Sequence, residues 1–247
     1  MTLLTVDKLE KHYGGVHAVT GVSFSVAAGE RVALIGPNGA GKTTCFNMIG
    51  GQIRPDAGRV GLNGEDVTGL PSRKLFRKGV GRTFQIAATF GSMTVLENVQ
   101  LALLSHQRKA LRLLGEATSA AKDEAHQLLA AVGLESQSDR PCDQLAYGDV
   151  KRLELAMALA NAPRLLLMDE PTAGMAPRER HELMALVSRI SAQRDLSVLF
   201  TEHDMDVVFG HADRIVVLDR GRLVAQGTQE EVRIDPEVKR IYLGDAG

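Results

Sequence analysis

The sequence predicts an α/β fold with a parallel-sheet core, an N-terminal antiparallel β subdomain and an inserted helical subdomain. Three observations carry this prediction. The apolar run Arg31-Val32-Ala33-Leu34-Ile35 leads directly into Gly36-Pro37-Asn38-Gly39-Ala40-Gly41-Lys42-Thr43-Thr44, and Cys45 to Ile49 continues as helix, so a buried strand, a glycine-rich loop and a helix follow one another. Further on, apolar strand patterns at 165–168, 197–200 and 214–218 alternate with helical stretches, the ordering that builds a parallel sheet. Between these two regions, from Thr94 to about Val132, the pattern is helical.

Each element has its own signal. Val22-Ser23-Phe24-Ser25-Val26 alternates apolar with polar, as a half-buried strand does. Pro55-Asp56-Ala57-Gly58 and Asn63-Gly64 bracket Arg59-Val60-Gly61-Leu62, a hairpin signal that extends the same antiparallel sheet. The helical region opens on a capping box, Thr94 with Glu97, and Gly133 is its expected stop. A helix is expected from Asp149 to about Asn161 and another after Pro177, whose missing N–H suits a first helical turn. Thr228 and Glu231 form a second capping box that opens a short C-terminal helical tail. The chain of 247 residues therefore reads as one domain, with a helical subdomain over about 94–160 and a tail over about 228–247.

Composition narrows the function. A formal net charge of −1 gives no global reason to bind nucleic acid. The two cysteines, Cys45 and Cys142, are too few for a disulfide scaffold and are expected as reduced cytosolic thiols. No apolar run approaches the roughly 20 residues of a membrane-spanning helix, and the N-terminus lacks a signal-peptide layout. Any membrane role is expected to come through a partner. The basic cluster Arg73, Lys74, Arg77, Lys78 and Arg82 reads as a solvated helix face.

The glycine-rich loop matches G-x-x-x-x-G-K-[ST], the P-loop of nucleoside triphosphate hydrolases. Gly36, Gly39 and Gly41 let the backbone N–H groups around Asn38 turn toward phosphate. Lys42 supplies charge at the β- and γ-phosphates, Thr43 is a hydroxyl ligand for Mg²⁺, and Thr44 continues a helix whose positive end faces the anion. Much later, Leu165-Leu166-Leu167-Met168-Asp169-Glu170-Pro171 is a buried strand ending in paired carboxylates. Asp169 suits the Mg²⁺ shell, and Glu170 suits polarisation of an attacking water.

Between these motifs lies Leu145-Ala146-Tyr147-Gly148-Asp149, followed by a helical stretch, which resembles the signature of ATP-binding cassette (ABC) ATPases. The resemblance covers nearly the whole chain. It implies that Tyr13 stacks on adenine, that Gln85 senses Mg²⁺ and the transport partner, and that His203 contacts the γ-phosphate. It also implies that Leu145, Ala146 and Gly148 face ATP held by an opposing subunit. Taken singly, these residues have plainer readings: Tyr13 as sheet packing, Gln85 as a strand-end polar residue, His203 as a surface histidine. The signature departs from the usual Leu-Ser-Gly-Gly-Gln at Ala146, Tyr147 and Asp149, and Ala176 stands where an aspartate often bridges the subunits.

Gly81-Arg82-Thr83-Phe84-Gln85, Met93-Thr94-Val95-Leu96-Glu97-Asn98-Val99, the Ala-Tyr-Gly signature and Asp235-Pro236-Glu237-Val238 are similar to ATPase subunits of prokaryotic importers for branched-chain amino acids and related solutes. That resemblance implies ATP and Mg²⁺, a second ATPase subunit that is a different chain in preference to a second copy of this one, two membrane permeases, an extracytoplasmic solute-binding protein acting indirectly, and attachment to the inner face of the membrane. Residues 86–93 are expected to form part of the groove for a permease helix. The alternatives are a lipopolysaccharide-exporter-like ATPase, a soluble cassette protein outside transport, and a nucleotide-binding subunit that hydrolyses poorly.

Overall fold

The computed structural model describes residues 1–83, 89–106 and 116–243. Strands β1 (Thr2–Tyr13) and β2 (Val16–Ala27) form a long antiparallel hairpin. Strand β3 (Arg31–Ile35) then runs into the glycine-rich loop and helix α1 (Lys42–Ile49). Strands β4 (Ala57–Leu62) and β5 (Glu65–Asp66) form the expected hairpin and complete a four-stranded antiparallel sheet in the order β2-β1-β4-β5. Helix α2 (Ser72–Arg77) and strand β6 (Val80–Thr83) follow.

The helical region contains α3 (Val95–His106), α4 (Glu116–Val132) and α5 (Tyr147–Leu159). Its capping box forms as expected: the Thr94 N–H donates to Glu97 at 2.8 Å, and the Glu97 N–H donates to the Thr94 hydroxyl at 3.2 Å. Helix α5 starts at Tyr147, ahead of the Asp149 start expected from sequence, because Ala146 and Tyr147 already take the conformation of a helix start without a capping side chain. Beyond it come β7 (Leu165–Asp169), α6 (Pro177–Arg194), β8 (Ser197–Thr201), α7 (Met205–His211), β9 (Arg214–Asp219), β10 (Arg222–Gly227), α8 (Gln229–Ile234) and α9 (Pro236–Leu243).

These strands form a six-stranded sheet in the order β10-β9-β3-β8-β7-β6, parallel except for β10. Both faces are covered, which explains why its strands read as continuous apolar runs. Alternate residues divide between two cores. Leu165 and Leu167 join Phe46, Met48 and the antiparallel sheet on one side. Leu166 and Met168 join Phe200 and helices α3 to α6 on the other. Cys45 and Cys142 are free and buried, and burial pushes the Cys45 thiol up to about 12, which makes it a packing residue rather than a nucleophile. Arg82 departs from expectation. It lies on β6 with its side chain largely buried, whereas Arg73, Lys74 and Arg77 lie on α2. Among the described residues, no helix is long and apolar enough to cross a membrane.

Phe200 is fully buried in the parallel sheet. Phe200→Ala should therefore cost about 3–5 kcal/mol, read as a lower midpoint in chemical denaturation; a shift equivalent to less than about 1 kcal/mol would contradict a tightly packed centre.

Candidate active site

The phosphate loop owes its shape to close backbone approaches. Gly36 (φ 152°) and Gly41 (φ 95°) sit where side chains are disfavoured. A Cβ on Gly36 would overlap the Leu218 carbonyl oxygen, and one on Gly41 would overlap the Ala18 carbonyl oxygen. The Gly221 N–H donates to the Ala40 carbonyl at 3.0 Å, tying the β9–β10 turn to the loop. Lys42 is buried, and its Nζ donates to the carbonyls of Gly36 at 2.6 Å and Pro37 at 3.0 Å. Burial pulls its ammonium below the usual lysine value, while the charges of Glu170 and Asp169 pull it back up.

At the neighbouring strand ends, one hydroxyl fixes both carboxylate residues. Thr201 Oγ1 donates to Asp169 Oδ1 at 2.8 Å and accepts the Glu170 N–H at 3.0 Å. Glu170 has φ 48°, a left-handed conformation that a glutamate adopts only when its surroundings hold it there. Its Oε1 lies 2.7 Å from His203 Nε2. Buried Glu202 accepts both the Thr172 hydroxyl at 2.6 Å and the Thr172 N–H at 3.0 Å, so the turn after β7 is anchored to the end of β8.

A cleft of about 530 Å³ gathers Tyr13, Asn38, Gly39, Gly41, Lys42, Thr43, Thr44, Glu170 and His203. Asp169 lies behind its wall, 8% exposed. Tyr13 is half-exposed at the mouth rather than packed as core. The sequence reading missed His17, Ala18 and Arg220, which also line the cleft. A turn at Arg220-Gly221 was detectable from the glycine, but its approach to the loop depends on the pairing of β9 with β3. Gln85 lies outside the described residues.

Leu145, Ala146 and Gly148 are not in this cleft. They sit at the start of α5, where the Tyr147 hydroxyl donates to the Ala173 carbonyl at 3.0 Å. Asp149 accepts from Gln137 Nε2 at 2.9 Å. Ala176 precedes α6, and its N–H donates to Glu179 at 3.1 Å.

A P-loop and paired carboxylates at the carboxyl ends of parallel strands define a nucleoside triphosphate hydrolase. The chain belongs to the ABC transporter family, whose model matches residues 19–173, and it is an ATPase cassette of that family. It is 41% identical to the high-affinity branched-chain amino acid transport ATP-binding protein LivG of Salmonella typhimurium, over 99% of this chain and 98% of that protein. Identity to the corresponding protein BraF of Pseudomonas aeruginosa is 39%, with the same coverage of both chains. A solved ATP-binding cassette of an ABC transporter in its ADP conformation superimposes with a TM-score of 0.88 and 33% identity, covering 99% of this chain and all of that one.

Thr201→Val keeps the side-chain shape and removes the hydroxyl that serves Asp169 and Glu170. Stability should fall by about 1–3 kcal/mol and ATP turnover by about tenfold or more, measured by denaturation and phosphate release. Unchanged turnover would show that the shared hydroxyl does not set the catalytic geometry.

Proposed function

We propose that this chain is the ATP-binding and ATP-hydrolysing subunit of a prokaryotic importer for branched-chain amino acids or related small solutes. The observation that carries this reading is its 41% identity to LivG along nearly the full length of both chains. Cleft geometry supports the chemistry. Tyr13 offers a stacking face for adenine, while the loop backbone at Gly36, Asn38, Gly39 and Gly41, with Lys42, Thr43 and Thr44, binds the phosphates. Thr43 and Asp169 present hard oxygen donors that fit Mg²⁺, with Gln85 as a further oxygen ligand. Bound there, Mg²⁺ neutralises charge on the phosphate oxygens.

Glu170 orients the attacking water. Its held backbone and the 2.7 Å approach to His203 leave its carboxylate little freedom, and His203 in turn contacts the γ-phosphate. Catalysis here consists of positioning and electrostatics rather than covalent chemistry.

Leu145, Ala146 and Gly148 serve the nucleotide of an opposing subunit, because they lie away from their own chain's cleft. Without a serine hydroxyl at Ala146, this surface acts through backbone N–H groups and the start of α5. The assembly comprises a second, different ATPase subunit, two membrane permeases and, indirectly, an extracytoplasmic solute-binding protein. It holds the chain at the inner face of the membrane. Residues 94–160 act as the helical subdomain and 228–247 as a tail. The docking segment 86–93 belongs to the same reading; residues 84–88 lie outside the described residues.

Glu170→Gln should keep ATP binding while lowering turnover about 100-fold or more; equilibrium nucleotide binding and single-turnover hydrolysis measure the two, and unaltered turnover would remove Glu170 from its role. Co-expression with genomically neighbouring permease and ATPase subunits should raise ATP hydrolysis and confer uptake of branched-chain amino acids. Full activity of the isolated chain, with no membrane subunit retained, would point to a soluble cassette, and retention of an exporter subunit would point to export.

A further inference from the structure

Arg82 is a largely buried cation in a slot that fits it. Its side chain is 11% exposed. One terminal nitrogen, Nη2, donates to Asn47 Oδ1 at 2.7 Å and lies 3.7 Å from Asp169 Oδ2. The guanidinium carbon stands 5.0 Å from the centre of the Phe46 ring, within cation–π range. Gly50 completes the slot. Its φ of −78° places no demand for glycine, yet a Cβ there would overlap Arg82 Nη1. The guanidinium occupies the space that a side chain at Gly50 would enter.

The partners of this slot span two parts of the site. Phe46, Asn47 and Gly50 belong to or cap α1, the helix that begins at Lys42 and Thr43, whereas Asp169 ends β7. Thr201 occupies Asp169 Oδ1, leaving Oδ2 to face the guanidinium. We infer that Arg82 is a positioning residue for Asp169: anchored on α1, it sets the direction of the carboxylate relative to the phosphate loop and thereby the metal-dependent part of nucleotide binding. This inference rests on the reading of Asp169 as a Mg²⁺ ligand. It assigns a function to an arginine whose neighbours in sequence suggested only a solvated basic face. Arg82 also borders a second cavity of about 460 Å³ together with Phe76, Glu154 and Met157.

The test is titration of the full-length chain with a fluorescent ATP analogue, in excess Mg²⁺ and in EDTA, alongside thermal unfolding. Arg82→Met and Gly50→Ala should each lose about tenfold of the affinity gained from Mg²⁺, as disrupted outer partners of metal ligands typically do. Metal-free affinity should change by less than about twofold. Arg82→Lys, which keeps the charge and loses the fork, should recover part of the loss. The Gly50→Ala/Arg82→Met double variant should be no worse than Arg82→Met, since both changes act on one contact. Equal losses with and without metal would mean a structural brace only and overturn the inference. So would a wild-type Mg²⁺ gain in Arg82→Lys and Gly50→Ala, which keeps the test decisive if Arg82→Met does not fold. Asp169→Asn separates the two readings: loss of the Mg²⁺ gain there with none in the Arg82 and Gly50 variants refutes only the role of Arg82, whereas a retained gain refutes the role of Asp169 itself.

Discussion

One rung of the parallel sheet sets the chemistry of the molecule. Leu34 on β3, Thr201 on β8 and Asp169 on β7 are paired in register. The residues just beyond them in each chain segment are the glycine-rich loop, Glu202-His203 and Glu170. Had β7 paired one residue out of step, each of its side chains would have changed faces, and Asp169 could not have met Thr201. The apolar residues on β3, β7 and β8 hold this register because every one is buried against one of two cores. Packing thus aligns three chemically distinct strand ends that are far apart in sequence.

Polar groups then complete what register begins. Thr201 serves both members of the carboxylate pair, and Glu202 fixes the turn that follows them. Such buried bonds cost little when all groups are satisfied and much when one is removed. The positive φ of Glu170 lies among these bonds, where the surrounding structure can hold it. The phosphate loop obeys a steric counterpart of the same rule, since Gly36 and Gly41 leave no room for side chains against the Leu218 and Ala18 carbonyls.

Much of this was legible in the sequence because the signals are local. The strand before the P-loop, the apolar run ending in Asp169, both capping boxes and the Asn63-Gly64 hairpin each depend on short-range chemistry. Elements with mixed exposure were not legible. Helix α7 buries only Val207 and Val208 along its length, and β10 carries mostly half-exposed residues, so neither shows clear periodicity. Arg82 was misread for a related reason: four basic neighbours suggested solvent, and only the tertiary approach of Asn47, Phe46 and Asp169 reveals a buried charge. His17 and Arg220 entered the cleft through pairings between strands remote in sequence. Ala146 and Gly148 posed the opposite problem, since their motif was recognisable but their distance from the cleft depends on the fold.

The hydrogen bond from Tyr147 to Ala173 ties together two segments that no strand pairing connects. It joins the first turn of α5 to the segment immediately after Asp169 and Glu170. The accepting carbonyl lies three residues from Glu170, so the start of α5 and the segment that follows β7 are linked by a direct side-chain bond. A residue without a hydroxyl at position 147 would leave that carbonyl without this donor.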